Sequence, residues 1–152
     1  MAEISACDDE VVVITSGRKA RDFFNRRGYK VLSAHFGYSD RPTYANAAEI
    51  AQDAIAQFAD EHFDELRIVY TIFKTALSQT PTCEKILPVE PPVKEKGKAS
   101  ASFIFEPSED ETLQVLAPKY LETVVYAALV QSAASELGSR MTAMSSATDN
   151  AA

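Results

Sequence analysis

The chain has 152 residues, of which 46 % are hydrophobic and 24 % charged, a composition that excludes a disordered or collagen-like protein. Lys and Arg number 15 against 22 Asp and Glu, and the net charge of -7 argues against a nucleic-acid binder, which needs clustered positive charge. The first residues lack the basic and apolar parts of a signal peptide, and no stretch has the ~20 consecutive apolar residues that predict a membrane helix. The two cysteines, Cys7 and Cys83, are far apart and indicate neither a disulfide nor a zinc site.

The first part of the chain has the pattern of a βαβ unit. Residues 11–14 are consecutive β-branched residues, which predicts a strand buried on both faces of a parallel sheet. A short helix follows, with Ala20, Phe23 and Phe24 turned inward, and Gly28 is placed to end it.

The next elements continue the alternation of strands and helices. We expect a strand at residues 29–36, a turn at 37–42, a helix at 43–60 with an apolar stripe, a strand at 67–74, and extended chain at 82–89. The fold class predicted is α/β, with a Rossmann-like, mostly parallel sheet and flanking helices.

The last third predicts a long helix. Residues 90–100 are Pro-rich and charged and are expected to form a flexible loop, and 102–105 predict a last strand. A helix is expected to start at Ser108, to be interrupted or kinked at Pro118, and to continue to about residue 148. About 30 residues of helix span about 45–50 Å, which exceeds the size of the body, and the chain holds no partner helix of matching length. We therefore divide the chain into a globular domain, 1–107, and a long C-terminal helix, 108–152.

No enzyme signature is present. Residues 16–19 lie where a phosphate-binding loop would be, but with one glycine they are better interpreted as an ordinary βα turn. His35 and His62 are isolated and predict surface or boundary histidines, and Cys83 is interpreted as an inert, small apolar residue. We expect no catalytic residue, no cofactor and no metal.

One cluster of basic residues is a candidate binding surface. It surrounds the first predicted helix and is either a solvated helix face or a contact for an acidic protein surface or a phosphate. Its members are Arg18, Lys19, Arg21, Arg26, Arg27 and Lys30.

Ordered motifs stand out in the C-terminal third. The strongest are SAASE at 132–136, RMTAM at 140–144 and ATDNA at 147–151, preceded by FEPS at 105–108 and PKYLE at 118–122. Weaker motifs in the same order lie at 17–19, 23–24, 69–74 and 86–88. Together they resemble one family, the gamma subunit of F-type ATP synthase.

The resemblance implies that the chain is part of a longer subunit. Gamma subunits begin with a long helix, continue into a first strand, and end with a helix that winds around the first as a coiled coil. By this resemblance the chain is expected to lack the N-terminal helix, the first strand and the end of the C-terminal helix.

The function implied is mechanical and not catalytic. Gamma subunits form the central-stalk rotor that couples proton translocation to ATP synthesis. The implied partners are the epsilon subunit, the membrane c-ring, and the alpha and beta subunits, with no nucleic acid and no direct lipid insertion. The cysteine insertion of chloroplast members is absent, which favours a bacterial enzyme, peripheral on the cytoplasmic side of the cell membrane.

The resemblance also suggests interface residues. They lie on the basic helix and along the long helix: Arg18, Arg21, Arg26, Arg27, Tyr120, Arg140, Met141, Met144 and Asn150. Two other classes stay open, namely a free-standing interaction module that self-associates through the long helix, and an α/β enzyme of unknown type.

Overall fold

A computed structural model describes residues 10–38, 40–89 and 109–151. The predicted loop at 90–100, the strand at 102–105 and the helix start at Ser108 lie outside these ranges. The elements in chain order are β1 (Val12–Ser16), α1 (Arg18–Arg26), β2 (Lys30–His35), α2 (Tyr44–Ala59), β3 (Leu66–Thr75), β4 (Ser78–Leu87) and α3 (Glu109–Ala151).

The strand, helix and strand at the start form the predicted βαβ unit. β1 and β2 are parallel, and α1 connects them and packs on both. Gly28 ends the helix as predicted: its φ is 78°, and the N–H of Tyr29 donates to the carbonyl of Phe24 at 3.1 Å. Glycine adopts this left-handed conformation without the Cβ clash that other residues meet.

The prediction that β1 is buried on both faces is wrong. Thr15 is the only buried residue of the strand, and Val12, Val13 and Ile14 are half-buried. Within the part of the chain that the structure describes, β1 pairs only with β2. Among the described residues its second edge faces a groove, which Val12, Val13 and Ile14 line.

The apolar stripe of α2 packs as predicted. Ala47, Ala51 and Ala54 are buried along one face of the helix. The helix begins with a capping box, in which Thr43 and Asn46 each bond the other's backbone N–H.

β3 and β4 form an antiparallel hairpin, with Tyr70 opposite Thr82 and Thr71 opposite Pro81. The second strand starts at Ser78, earlier than the predicted extended segment. The described strands thus comprise one parallel pair and one antiparallel pair. The α/β class, with parallel strands, flanking helices and a long C-terminal helix, is confirmed.

α3 is one helix of 43 residues that continues through Pro118. At 1.5 Å per residue it is about 65 Å long. It packs on α2 and β3, and the core formed there contains Ala47, Ala51, Ile86, Leu121 and Val125.

The segment Glu111–Ala151 of this helix has the length and apolar composition to cross a membrane, although no such span was expected from the sequence. The indication is weak, because long helices that pack inside soluble proteins meet the same criteria. Its most apolar window is 22 % buried within the described structure.

Candidate functional site: two faces of the long helix

One face of α3 anchors the helix to the body. Leu121 is 2 % exposed and Val125 is 7 % exposed, and both contact the core between α2 and the hairpin. Ala128 continues the buried row. Burying large apolar side chains here contributes about 1.5–3 kcal/mol each.

A buried carboxylate joins the same face to the start of α2. Glu122 is 3 % exposed; the hydroxyl of Tyr44 donates to its Oε2 at 2.6 Å and the Nζ of Lys119 donates to it at 2.7 Å. The bond from Lys119 and then that from Tyr44 lower the pKa of Glu122, and the same contact raises the pKa of Tyr44. Glu122 is therefore ionised and paired at neutral pH.

We expect this pairing to make the stability of the protein fall in acid. The ordinary pKa of the carboxyl group is 4.5, and the folded value is lower. Stability from the pair is therefore fully present above about pH 4.5 and is lost as the pH falls through the folded-state pKa. Thermal unfolding between pH 7 and pH 2.5 measures it.

The control for the acid experiment lies on the same helix. Glu122→Gln should flatten the pH dependence below pH 5, whereas Glu136→Gln, in an exposed ion pair with Arg140, should leave the curve unchanged. Parallel curves for the protein and Glu122→Gln would contradict the assignment.

Closer to the C-terminus of α3, a glycine leaves room for the end of the hairpin. A Cβ added at Gly138 would lie 2.8 Å from Cε2 of Phe73 and 3.5 Å from Cα of Ala76. The hairpin reaches the helix at this level only because position 138 has no side chain.

Gly138→Val should therefore destabilise the protein by about 1–3 kcal/mol, since overpacking forces the Phe73 ring or the hairpin to move. Ala143→Val, on an exposed position of the same helix, is the control for introducing a β-branched residue. It costs about 0.5 kcal/mol of helix propensity, a cost that Gly138→Val does not carry because glycine is a poorer helix former than valine. Urea unfolding of both variants is the measurement. Equal losses at the two positions would mean that Gly138 is not a packing site.

The opposite face of α3 carries an exposed apolar seam. Leu137 and Met141 are 47 % and 63 % exposed, and the other large apolar residues on the same line are exposed as well. The spacing alternates three and four residues along the helix, the a and d pattern of a left-handed coiled coil. We call this line the exposed seam; its large members are Leu113, Leu116, Tyr120, Val130, Leu137, Met141 and Met144.

The seam and the anchoring face lie on opposite sides of the helix. Leu121, Val125 and Ala128 follow the same spacing and lie one, two and one residues after the seam positions 120, 123 and 127. At about 100° per residue, the two rows are roughly 130–150° apart around the helix. Of the exposed large apolar residues of α3, only Val115 falls off the seam. A helix with this arrangement binds the body on one side and can bind a second helix on the other.

The predicted interface residues on α3 are only partly on the seam. Tyr120, Met141 and Met144 belong to it. Arg140 flanks it and pairs with Glu136, and Asn150 lies one residue before the seam position of Ala151. The seam as a whole was missed from the sequence, although the alternating spacing of its large residues was a signal for it.

The predicted basic group lies around α1 and is partly engaged within the body. Arg21 bonds Asp22 at 2.7 Å and lies 5.0 Å from the ring centre of Phe36, and Arg27 lies 4.4 Å from that of Phe23. Arg26 Nε donates to the carbonyl of Asp22 at 3.1 Å. Arg18, like Arg26 and Arg27, is exposed. The group therefore forms a cationic surface whose guanidinium groups are partly held in place.

His35 is held at the junction of β2 and α2. Its side chain is 10 % exposed, and Nε2 lies 3.0 Å from Oδ2 of Asp53, which also accepts a hydrogen bond from Ser33. Burial acts to raise the pKa of Asp53, but the hydrogen bonds from Ser33, His35 and Gln57 outweigh it and lower the pKa. His35 is thus a boundary histidine, as predicted, and ties two elements together. Across residues 10–38, 40–89 and 109–151, no group of three acidic, His or Cys side chains could hold a metal ion.

A groove of about 1690 Å³ runs between β1 and the hairpin. Its walls include β1, the first half of β3 and the α3 residues Leu129 and Ser132. The N–H groups of Thr71 and Phe73 point toward α3. Because main-chain N–H and C=O groups alternate in direction from residue to residue along an antiparallel strand, those of Val69 also point away from β4. Two strand edges therefore face the groove, one from each sheet.

An α/β body that holds a long helix by one face and exposes an apolar seam on the other defines a protein that acts through contact with other chains. The profile of a family described as ATP synthase matches residues 1–152. The chain belongs to this ATP synthase family, and neither the enzyme of unknown type nor the free-standing module is favoured.

Three relatives of this chain are all ATP synthase gamma chains. The ATP synthase gamma chain of Halothermothrix orenii is 41 % identical over 147 residues, which is 95 % of this chain and 51 % of the relative. The gamma chains of Brevibacillus brevis and Desulfitobacterium hafniense are 46 % and 43 % identical, over 94 % and 93 % of this chain and 50 % of each relative. The chain thus spans about half the length of these relatives.

The fold has a solved counterpart. A structure of the central stalk and c-ring of the Tetrahymena thermophila mitochondrial ATP synthase contains a chain that matches with a TM-score of 0.71. The match covers 90 % of this chain and 60 % of that one at 24 % identity, and it supports the fold alone.

Proposed function

We propose that the chain forms the foot and the lower shaft of a central-stalk rotor that couples proton translocation to ATP synthesis, without catalysing a reaction itself. One observation carries the proposal: α3 is anchored through Leu121 and Val125 on one face and presents an apolar seam on the opposite face. A helix that only completed the body would have no reason to expose Leu137 and Met141.

The seam is the surface for a second long helix. The family resemblance implies an N-terminal helix that winds around the C-terminal one, and the three-and-four spacing of the seam suits this partner. Small seam positions, among them Ala127 and Ala134, allow the two helices to approach closely along the middle of α3. Higher on the shaft, the alpha and beta subunits are the implied neighbours.

The groove is the place for the family's first strand. The free edge of β1 and the first half of β3 face it, and both offer main-chain groups for pairing. A strand placed there would join the parallel and the antiparallel pair into one sheet. It would also cover Val12, Val13 and Ile14, and so accounts for their β-branched character.

The cationic surface around α1 is the contact for an acidic partner, either the epsilon subunit or the polar loops of the c-ring. Arg26 and Arg27 are exposed and lie at the end of the helix, beside the turn at Gly28. Charged surfaces of this kind speed association and select partners.

Calorimetric titration with the epsilon subunit at moderate salt tests this contact. We expect binding with a micromolar or tighter Kd, which corresponds to about -8 kcal/mol. The double charge reversal Arg26→Glu with Arg27→Glu should weaken it at least tenfold. Arg41→Glu with Lys74→Glu, on exposed positions outside α1, is the control that makes the same change of charge elsewhere. Equal effects of the two changes would show only general charge steering and would contradict a contact at α1.

For the location, we propose the cytoplasmic side of a bacterial membrane, with attachment through other subunits and no lipid insertion. α3 carries the charged pairs Lys119–Glu122 and Glu136–Arg140, and charged side chains are costly in the hydrocarbon of a bilayer. Carbonate washing of membranes should release the protein. Retention after the wash would contradict this attachment.

A further inference from the structure

The second edge of β3 is bonded by side chains of α3. In an antiparallel pair, alternate residues direct both main-chain groups away from the neighbouring strand. Thr71 and Phe73 are two such residues, and Thr71 lies opposite Pro81, which has no N–H to offer. Their main-chain groups would be unpaired at this edge without another partner.

Three polar side chains of the helix supply that partner. The N–H of Phe73 donates to Oε1 of Gln131 at 2.9 Å, and the N–H of Thr71 donates to Oγ of Ser132 at 3.5 Å. The hydroxyl of Ser135 donates to the carbonyl of Thr71 at 3.3 Å, and Ser135 is 3 % exposed. The helix thus occupies the position of a neighbouring strand over two residues of β3.

Unlike the apolar contacts nearer the N-terminus of α3, these hydrogen bonds are directional. Leu121 and Val125 can slide or turn slightly within an apolar core, whereas a hydrogen bond weakens steeply when its angle or distance changes. The bond from Phe73 has normal length, and together with the two longer bonds to Thr71 it restricts both the position of α3 along its axis and its rotation about that axis. Just beyond this level Gly138 packs against Phe73, and the hydroxyl of Ser139 donates to Oε1 of Gln79 at 2.9 Å. Past these contacts the helix leaves the body, since residues 143–151 are all exposed.

We propose that Gln131, Ser132 and Ser135 are positioning residues that hold α3 at one rotational setting on the hairpin and so form the joint through which torque passes between foot and shaft. The geometric part concerns the chain alone, and the torque part rests on the proposed rotor function. The joint lies next to the last contacts between α3 and the hairpin, which Gly138 makes with Phe73 and Ser139 makes with Gln79, so a twisting load on the helix reaches the body at this level.

The test asks whether removing the three polar side chains loosens α3 against the hairpin without destabilising the whole protein. The variant Gln131→Met with Ser132→Ala and Ser135→Ala removes the three polar partners and keeps good helix formers. Nitroxide labels are placed on Leu77→Cys and Met141→Cys, both on exposed side chains, after Cys7 and Cys83 are replaced by alanine. Ser145→Ala with Ser146→Ala, on the exposed part of α3, is the control.

We expect the distribution of distances between the labels to widen at least twofold in the triple variant and to stay unchanged in the control. Amide exchange at Phe73 should become at least tenfold faster, while that at Ile72, which faces β4, stays the same. Equal acceleration at both amides would indicate a merely stabilising role and would overturn the proposal, as would an unchanged width. If the triple variant unfolds, amide exchange at Phe73 is measured in Gln131→Met alone, and an unchanged rate there would overturn the proposal.

The torque part is read in a synthase that carries this segment. The triple variant should keep ATP hydrolysis and lower the protons pumped per ATP at least twofold. An unchanged ratio would overturn the torque role. Failure of the unmodified segment to assemble would instead count against the rotor function and leave the joint seen in the isolated chain intact.

Discussion

Replacing Leu121 with alanine should destabilise the isolated chain by about 2–5 kcal/mol, the range for a large side chain removed from a closed core. Leu121 is 2 % exposed and is the largest side chain that the described structure buries completely. It lies where α3 meets α2 and the hairpin, so a cavity there loosens all three elements. Since domains of this size are stable by about 5–15 kcal/mol, a large part of the stability is lost.

Urea unfolding measures the loss, and Leu116→Ala on the same helix is the control. Leu116 is 54 % exposed on the seam, so its removal should change the free energy of unfolding of the isolated chain by less than about 0.5 kcal/mol. If the two variants lost equal stability, the separation of α3 into an anchoring face and a free face would be wrong.

The second large effect concerns helix pairing. Leu137→Asp with Met141→Asp should weaken the binding of a second helix by about 3–6 kcal/mol, or roughly 10²–10⁴-fold, because each position buries a large apolar side chain in the pair. The same change should leave the thermal unfolding of the isolated chain almost unaltered, since both side chains are already exposed there.

The pairing is measured by titrating the chain with the N-terminal half of a gamma chain that supplies the first helix and strand. Ser145→Asp with Ser146→Asp adds the same charge off the seam and is the control. Sedimentation of the chain without that half shows whether it pairs with itself. A strong self-dimer that the seam change leaves intact would contradict the assignment of this face.

Much of the fold was predictable because its signals are local. Gly28 ends α1 through its own backbone conformation, and Ala47, Ala51 and Ala54 mark the buried side of α2 by their spacing. The density of β formers around Val69 placed β3. None of these features depends on a distant part of the chain.

What could not be predicted depends on distant contacts. The β-branched run in β1 suggests full burial, but burial requires a second neighbour that the described strands do not supply. In α3, the anchoring face and the seam lie on opposite sides, so the apolar residues are spread around the helix and no single stripe stands out. The bond between Gln131 and Phe73 joins residues 58 positions apart, which no local pattern encodes.

Proton pumping by a synthase that carries this segment tests whether the chain acts as a rotor through its exposed seam. Residues 1–152 replace the matched segment of the Brevibacillus brevis gamma chain, and ATP-driven acidification of inverted membrane vesicles is recorded. We expect acidification that Leu137→Asp with Met141→Asp abolishes and Ser145→Asp with Ser146→Asp preserves. An assembled synthase that hydrolyses ATP without acidifying the vesicles, or one indifferent to the seam change, would contradict it.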